Sequence, residues 1–143
     1  MITFENKSFE SLTNQEIFEM YQLRVSVFVV EQNCPYQEVD DTDLIATHIL
    51  GKNDAGELVA YMRIYQTDNT WHIGRVIVRE DNRKSNYGRN MVEYTLSLIE
   101  TGSTVEAQAQ EYLQKFYGSF GFKPVSEVYL EDNIPHIDMV LTK

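Results

Sequence analysis

The sequence predicts a mixed α/β fold of the α+β kind, built on a mostly antiparallel sheet. Three observations predict it. The apolar pattern changes period along the chain in the order β α β β β α β α β β. The central strand-like runs are joined by short turns rather than crossover helices, which excludes a doubly wound sheet. The 143 residues, 43% hydrophobic and 24% charged, have ordinary globular composition and suffice for one domain, residues 1–143, around one core.

A short first strand is expected at Ile2–Phe4. Thr13 followed by Glu16 reads as a capping box, and Ile17, Met20, Tyr21, Val25 and Phe28 continue at helical spacing. The run Val27–Val30 blurs the helix end, and residues 31–43, with Pro35, read as a loop or broken helix. Strands are expected at Ile45–Leu50 and Leu58–Tyr65, joined by the turn Asn53-Asp54-Ala55-Gly56. The turn Thr67-Asp68-Asn69 leads to a third strand, Thr70–Val78. After a polar stretch, Met91, Val92, Thr95, Leu96 and Ile99 mark a helix stopped by Gly102. A strand at 104–108 and a helix near 110–120, ended by Gly121, follow. Two last strands, near 123–129 and 136–142, flank the turn Glu131-Asp132-Asn133.

The net charge is -10, from 12 Lys+Arg against 22 Asp+Glu, which argues against general affinity for nucleic acid. Its distribution is uneven. Arg75, Arg79, Arg83, Lys84 and Arg89 face only Glu80 and Asp81 within 75–89, a window of +3 in a chain otherwise at -13. Residues 31–43 hold Glu31, Glu38, Asp40, Asp41 and Asp43 with no Lys or Arg. The single cysteine, Cys34, cannot form an intrachain disulfide and reads best as a small buried side chain. No apolar run nears the roughly 18 residues of a membrane span. The start MITFENKSFESL shows no secretory pattern, so a cytoplasmic protein without membrane or nucleic-acid partners is expected. Three scattered histidines without HxxxH or CxxC spacing predict no metal site.

The basic window lies between a strand and a helix start, where orphan backbone N–H groups and the helix dipole favour an anion. Gly88 permits close approach of a ligand, and Asn86 tolerates a left-handed backbone. Arg83 and Arg89 can add charge-assisted bonds, so a phosphate-bearing cofactor competes here with a merely solvated loop.

Arg83-Lys84-Ser85-Asn86-Tyr87-Gly88 resembles the [QR]-x-x-G-x-[GA] loop of GNAT-superfamily N-acetyltransferases, departing at Asn86. Phe116-Tyr117-Gly118-Ser119-Phe120-Gly121-Phe122 resembles that superfamily's F-Y-x-x-x-G-F. Residues 28–37 (FVVEQNCPYQ), 48–51, 73–78 and 134–137 are similar to its ElaA-like branch, so the likeness spans residues 24–139. The resemblance implies a twisted sheet of about six to seven strands with about four helices and a splayed central strand pair. It implies acetyl-CoA as co-substrate, its pyrophosphate on the amides of Arg83, Lys84, Ser85, Asn86, Tyr87, Gly88 and Arg89. Its pantetheine arm would meet Gln110 and pair with the backbone of Val76, Ile77 and Val78.

Amine acetylation needs a neutral amine, a polarised thioester and a proton for the leaving thiolate. The resemblance places that proton on Tyr117, a phenol that holds it at neutral pH. Candidates for the base are His72, Glu31 and His136, with His48 also matching the branch pattern. Each histidine can equally be a structural one, and a water chain can replace a single base. The acids of 31–43 suggest a cationic amine acceptor, a small molecule or a protein lysine. A catalytically silent acyl-CoA-binding module and a protein-interaction domain remain as alternatives. A homodimer is a reasonable default.

Overall fold

The computed structural model describes residues 1–143. Its elements are β1 (Thr3–Ser8), α1 (Asn14–Arg24), a π-helical stretch (Val25–Glu31), α2 (Thr42–Ile45), β2 (Thr47–Lys52), β3 (Leu58–Thr67) and β4 (Thr70–Val78). They continue with α3 (Tyr87–Ser97), β5 (Thr104–Gln110), α4 (Gln114–Gly118), β6 (Lys123–Pro124), β7 (Tyr129–Glu131) and β8 (Ile134–Thr142). The strands form one eight-stranded sheet ordered β1-β2-β3-β4-β5-β8-β6, with β7 also paired to β8. Only β4–β5 is parallel. No helix is long and apolar enough to cross a membrane.

Helices cover both faces of the sheet, so β3 is buried on both sides from Leu58 through Ile64. Ala60, Met62 and Ile64 pack with Met91 and Val92 of α3. On the other face Tyr61 packs with Met20 and Leu23 of α1. These two cores hold the sheet's centre rigid at the point where β4 and β5 diverge.

The capping box forms: Glu16 N–H donates to Thr13 Oγ1 at 3.1 Å and Thr13 N–H to Glu16 Oε1 at 2.9 Å. Lys7 and Lys52 also reach Glu16 Oε2, at 2.8 and 2.9 Å. Burial alone would raise the Glu16 carboxyl, but Lys7, the Thr13 N–H and Lys52 outweigh it and bring it down to about 2. Its stabilisation is therefore full above the unfolded value of 4.5 and is lost as pH falls toward 2. Glu16→Gln is expected to cost about 2 kcal/mol at pH 7 and to flatten the loss of stability below pH 4.5, read by urea unfolding at a series of pH values.

Several boundaries differ from expectation. The first strand runs to Ser8 because it pairs with β2 along its whole length. After Arg24 the helix loosens to i→i+5 bonding, with Gln32 N–H on Val27 O at 3.2 Å and Cys34 N–H on Val29 O at 3.0 Å. The strand expected from Ile45 starts at Thr47, because Arg24 and Arg63 draw Asp43 inward and close a helical turn. The helix expected near 110–120 starts as a 3₁₀ turn at Glu111–Leu113 and becomes α4 at Gln114, since pairing with β8 carries β5 through Gln110. The strand expected near 123–129 is split into β6 and β7: Val125 N–H still donates to Asp138 O at 2.9 Å, but Asp138 N–H donates to Ser126 Oγ at 2.9 Å instead of to a backbone carbonyl, which ends the ladder. The turns Asp68-Asn69 and Asp132-Asn133 have positive φ at both residues, the type I′ geometry that tight hairpins favour.

Candidate active site

The site begins where the sheet opens. β4 and β5 pair only from Thr70↔Thr104 to Ile73↔Ala107. Beyond this, β4 stays with β3 and β5 stays with β8, so β4 has no ladder on its β5 side from Gly74 onward. A bulge lies at that fork: Arg63 faces Gly74 and Tyr61 faces Ile77, leaving Arg75 and Val76 opposite Met62. Ile77 is buried on the α1 side, while Val76 and Val78 pack toward α3. Their side chains are structural, and their backbone is the available chemistry.

At the end of β4 the chain turns into α3 with Asn86 in the left-handed region, φ 60°. Asn supplies there the conformation a glycine would. None of the backbone N–H groups from Arg83 through Arg89 donates to another group of the chain, and the first helical bond is Asn90 N–H to Asn86 O at 3.0 Å. These donors sit at a helix N-terminus, an arrangement suited to a polyphosphate. A Cβ on Gly88 would point into the gap between Val78 Cγ2, 3.5 Å away, and the Phe116 ring, 3.9 Å away.

The side chains of this loop are less free than the sequence suggests. Arg83 holds Glu31 bidentately at 2.7 and 2.8 Å and donates from Nε to Val78 O at 2.9 Å. Arg89 donates to Ser119 Oγ at 2.7 Å and stacks over the Phe120 ring. Arg75 pairs with Glu38 and Asp40, and Arg79 with Asp81 and Glu57. Of the basic window, Lys84 alone projects without a carboxylate or other partner; Ser85 Oγ turns back to Asn82 O, and Tyr87 is half-buried. The expected anion site thus rests on backbone amides rather than on arginines.

Between the splayed strands lies a cleft of about 580 Å³ lined by Val76, Gln110, Tyr117, His72 and His136 among others. The Tyr117 ring meets Phe116 and Phe122 edge-on, at 5.3 and 5.7 Å. Burial, with a smaller contribution from Tyr112, pushes its phenol well above the ordinary 10, so it keeps its proton. His136 Nδ1 lies 2.7 Å from Ile134 O, which fixes the proton on Nδ1 and leaves the Nε2 lone pair open. His72 Nε2 is hydrogen-bonded to Thr67 Oγ1 at 2.7 Å, while Nδ1 stands 3.8 Å from Glu106, beyond bonding distance.

Two expectations are corrected here. Glu31 does not line the cleft; its bond to Arg83, opposed by slight burial, lowers its carboxyl below the usual range and removes it as a base. The acids of 31–43 are not a free cation-binding surface. Arg24 holds Glu38 and Asp43, Arg63 holds Asp40 and Asp43, and Arg75 holds Glu38 and Asp40. His48 is fully buried between Tyr61 OH, at 2.6 Å, and Asp43 O, at 2.9 Å, and is structural. Cys34 sits buried in the cleft wall, 3.6 Å from Asp132 O.

The structure adds Glu106 and Gln108 to the cleft, beside Gln110. Their signal was in the sequence: along β5 they alternate with Val105, Ala107 and Ala109, which face the core.

A cleft at a parallel-strand fork, lined by a protonated tyrosine and followed along the chain by a loop of free amides, is the kind of site a two-substrate transferase uses. Residues 11–143 match the acetyltransferase (GNAT) domain family. Protein ElaA of Escherichia coli K12 is 47% identical over 148 residues, covering 97% of this chain and 95% of its own. The crystal structure of Escherichia coli ElaA superposes with a TM-score of 0.91 at 44% identity, over 98% of this chain and 99% of that one. An acyl-CoA N-acyltransferase from Pseudomonas aeruginosa does so with 0.91 at 40%, over the same 98% and 99%. The chain belongs to the GNAT acetyltransferase family, in its ElaA-like branch. It is an acetyltransferase whose fold serves acyl transfer from CoA.

Proposed function

We propose that the protein moves an acetyl group from acetyl-CoA to a primary amine of a cationic acceptor by direct attack, with Tyr117 as general acid and His136 as base. The observation that carries this reading is the pairing, in one cleft, of a phenol held protonated with an imidazole whose Nε2 is open. The free amides of residues 83–89 take the pyrophosphate, and Gln110 and the backbone of Val76–Val78 take the pantetheine arm. His136 Nε2 accepts a proton from the incoming ammonium. The amine nitrogen then bonds to the acetyl carbon while β4 amides stabilise the oxyanion. The C–S bond breaks, Tyr117 gives its proton to the sulfur, and the second proton leaving the attacking nitrogen restores the phenol through water. Residues 1–143 act as one domain, in the cytoplasm. The left-handed Asn86 gives the loop the geometry that cofactor binding needs, and the acid and base in the cleft, rather than the loop, set this reading apart from a silent binding module.

The cationic acceptor now rests on different carboxylates. Glu106, Glu131 and Asp132 line the cleft with no Lys or Arg partner. Calorimetry should show acetyl-CoA binding, and thiol release should respond to one or more members of a panel of diamines, polyamines and lysine derivatives. Glu131→Gln with Asp132→Asn is expected to raise KM for a diamine about tenfold while kcat stays close to wild type. Equal KM for diamines and for monoamines that carry no second charge would exclude an acceptor recognised by its extra positive charge.

A further inference from the structure

Seven non-glycine residues have positive φ, and all but Arg75 are Asn or Asp. Arg75 is at φ 54° inside β4, although Gly74 beside it has open space around its Cα and keeps an ordinary backbone. An arginine in this region is strained unless its surroundings hold it. Here they do. Arg75 Nε lies 2.6 Å from Glu38 Oε1, as a charge contact rather than a directed bond. Its Nη2 donates to Glu38 O at 3.1 Å and to Asp40 Oδ2 at 3.4 Å. The guanidinium also stacks over the Tyr36 ring at 5.6 Å, and Tyr36 OH donates to Glu38 Oε1.

One side chain therefore joins two parts of the site. Its backbone forms the bulge where β4 leaves β5, which sets the direction of the next amides, Val76 to Val78. Its guanidinium grips the segment bearing Tyr36, Gln37 and Asp40, which line the cleft. We infer that Arg75 is a positioning residue: its ion pairs hold the bulge in the strained conformation that aims the β4 amides at the thioester oxygen, and seat the acceptor-side wall in the same act. This rests on the acetyltransfer reading above, and it assigns the side chain a part separate from acid, base and phosphate loop.

Arg75→Gly isolates the side chain, because glycine accepts φ 54° without strain. The variant leaves no orphan acid, since Glu38 keeps Arg24 and Asp40 keeps Arg63. With an amine found productive for the wild type, kcat is expected to fall about 10²-fold while the calorimetric Kd for CoA stays within about threefold. Arg75→Lys, which keeps charge but loses the fork, should fall between. A glycine variant with wild-type kcat overturns the proposal. So does a parallel loss of CoA affinity and kcat, which marks a structural role only. Amide shifts give a readout without turnover: acetyl-CoA and CoA should shift Val76–Val78 differently in the wild type and alike in Arg75→Gly. No such difference in the wild type also overturns it. A wild type that shows the shifts yet acetylates no amine sinks the acetyltransfer reading and leaves the positioning of the amides intact.

Discussion

Tyr117→Phe is expected to lower kcat about 10²- to 10³-fold while KM for acetyl-CoA stays near wild type. The ring keeps its edge-on contacts with Phe116 and Phe122, so the substitution removes only the hydroxyl. Stability should hold, because the hydroxyl makes no bond to the chain whose loss would leave a buried group unpaired. The pH profile separates this role from others. Burial first, and the neighbouring Tyr112 second, move the phenol upward from 10. A group shifted that way stays protonated through neutral and mildly alkaline pH. The wild-type kcat should therefore show no falling limb below pH 10, and its rise with pH should belong to the base. Stopped-flow thiol release between pH 6 and 10 measures both effects. A Phe variant with undiminished kcat over that range would remove Tyr117 from the chemistry.

Arg24→Met should destabilise the protein by about 3–5 kcal/mol, the usual cost of stripping one partner from a buried ion cluster. Arg24 is fully buried and donates to Glu38 from Nε, and to Asp43 from Nη1 and Nη2 at 2.8 and 3.1 Å. Methionine fills much of its volume but leaves Asp43 to Arg63 alone and Glu38 to the rim contact with Arg75. Burial alone would raise the carboxyls of Asp40 and Asp43, yet the arginines outweigh it and both lie below the ordinary 3.8. Their stabilisation is present above that value and disappears as pH falls through the lowered folded values. The gap between wild type and Arg24→Met in guanidinium unfolding should therefore be widest near pH 7 and shrink below about pH 4. A gap under about 1 kcal/mol at pH 7 would mean that packing, not pairing, holds this layer.

What was legible in the sequence is what short-range chemistry decides. The Thr13–Glu16 capping box, the Asp68-Asn69 and Asp132-Asn133 turns and the left-handed Asn86 all depend on residues within a few positions of each other. The position of the 83–89 loop at the start of α3 and the place of Tyr117 on α4 were also legible, since each is a local motif on a predictable element. Strand limits were not, because pairing with a distant strand extended β5 over two further residues, Ala109 and Gln110, and the ladder with β8 breaks between β6 and β7.

Charge is where reading along the chain misled. Glu31 and Arg83 stand 52 positions apart, and Arg63 and Asp40 stand 23 apart, yet each pair is in bonding contact. The sequence by itself determined the fold class, because periodicity, capping and turn preference act over a few residues. Only the tertiary structure decided which charges remain to meet a substrate. Electrostatic attraction and burial join residues without regard to their order in the chain, and here they matched nearly every acid of 31–43 with an arginine from elsewhere.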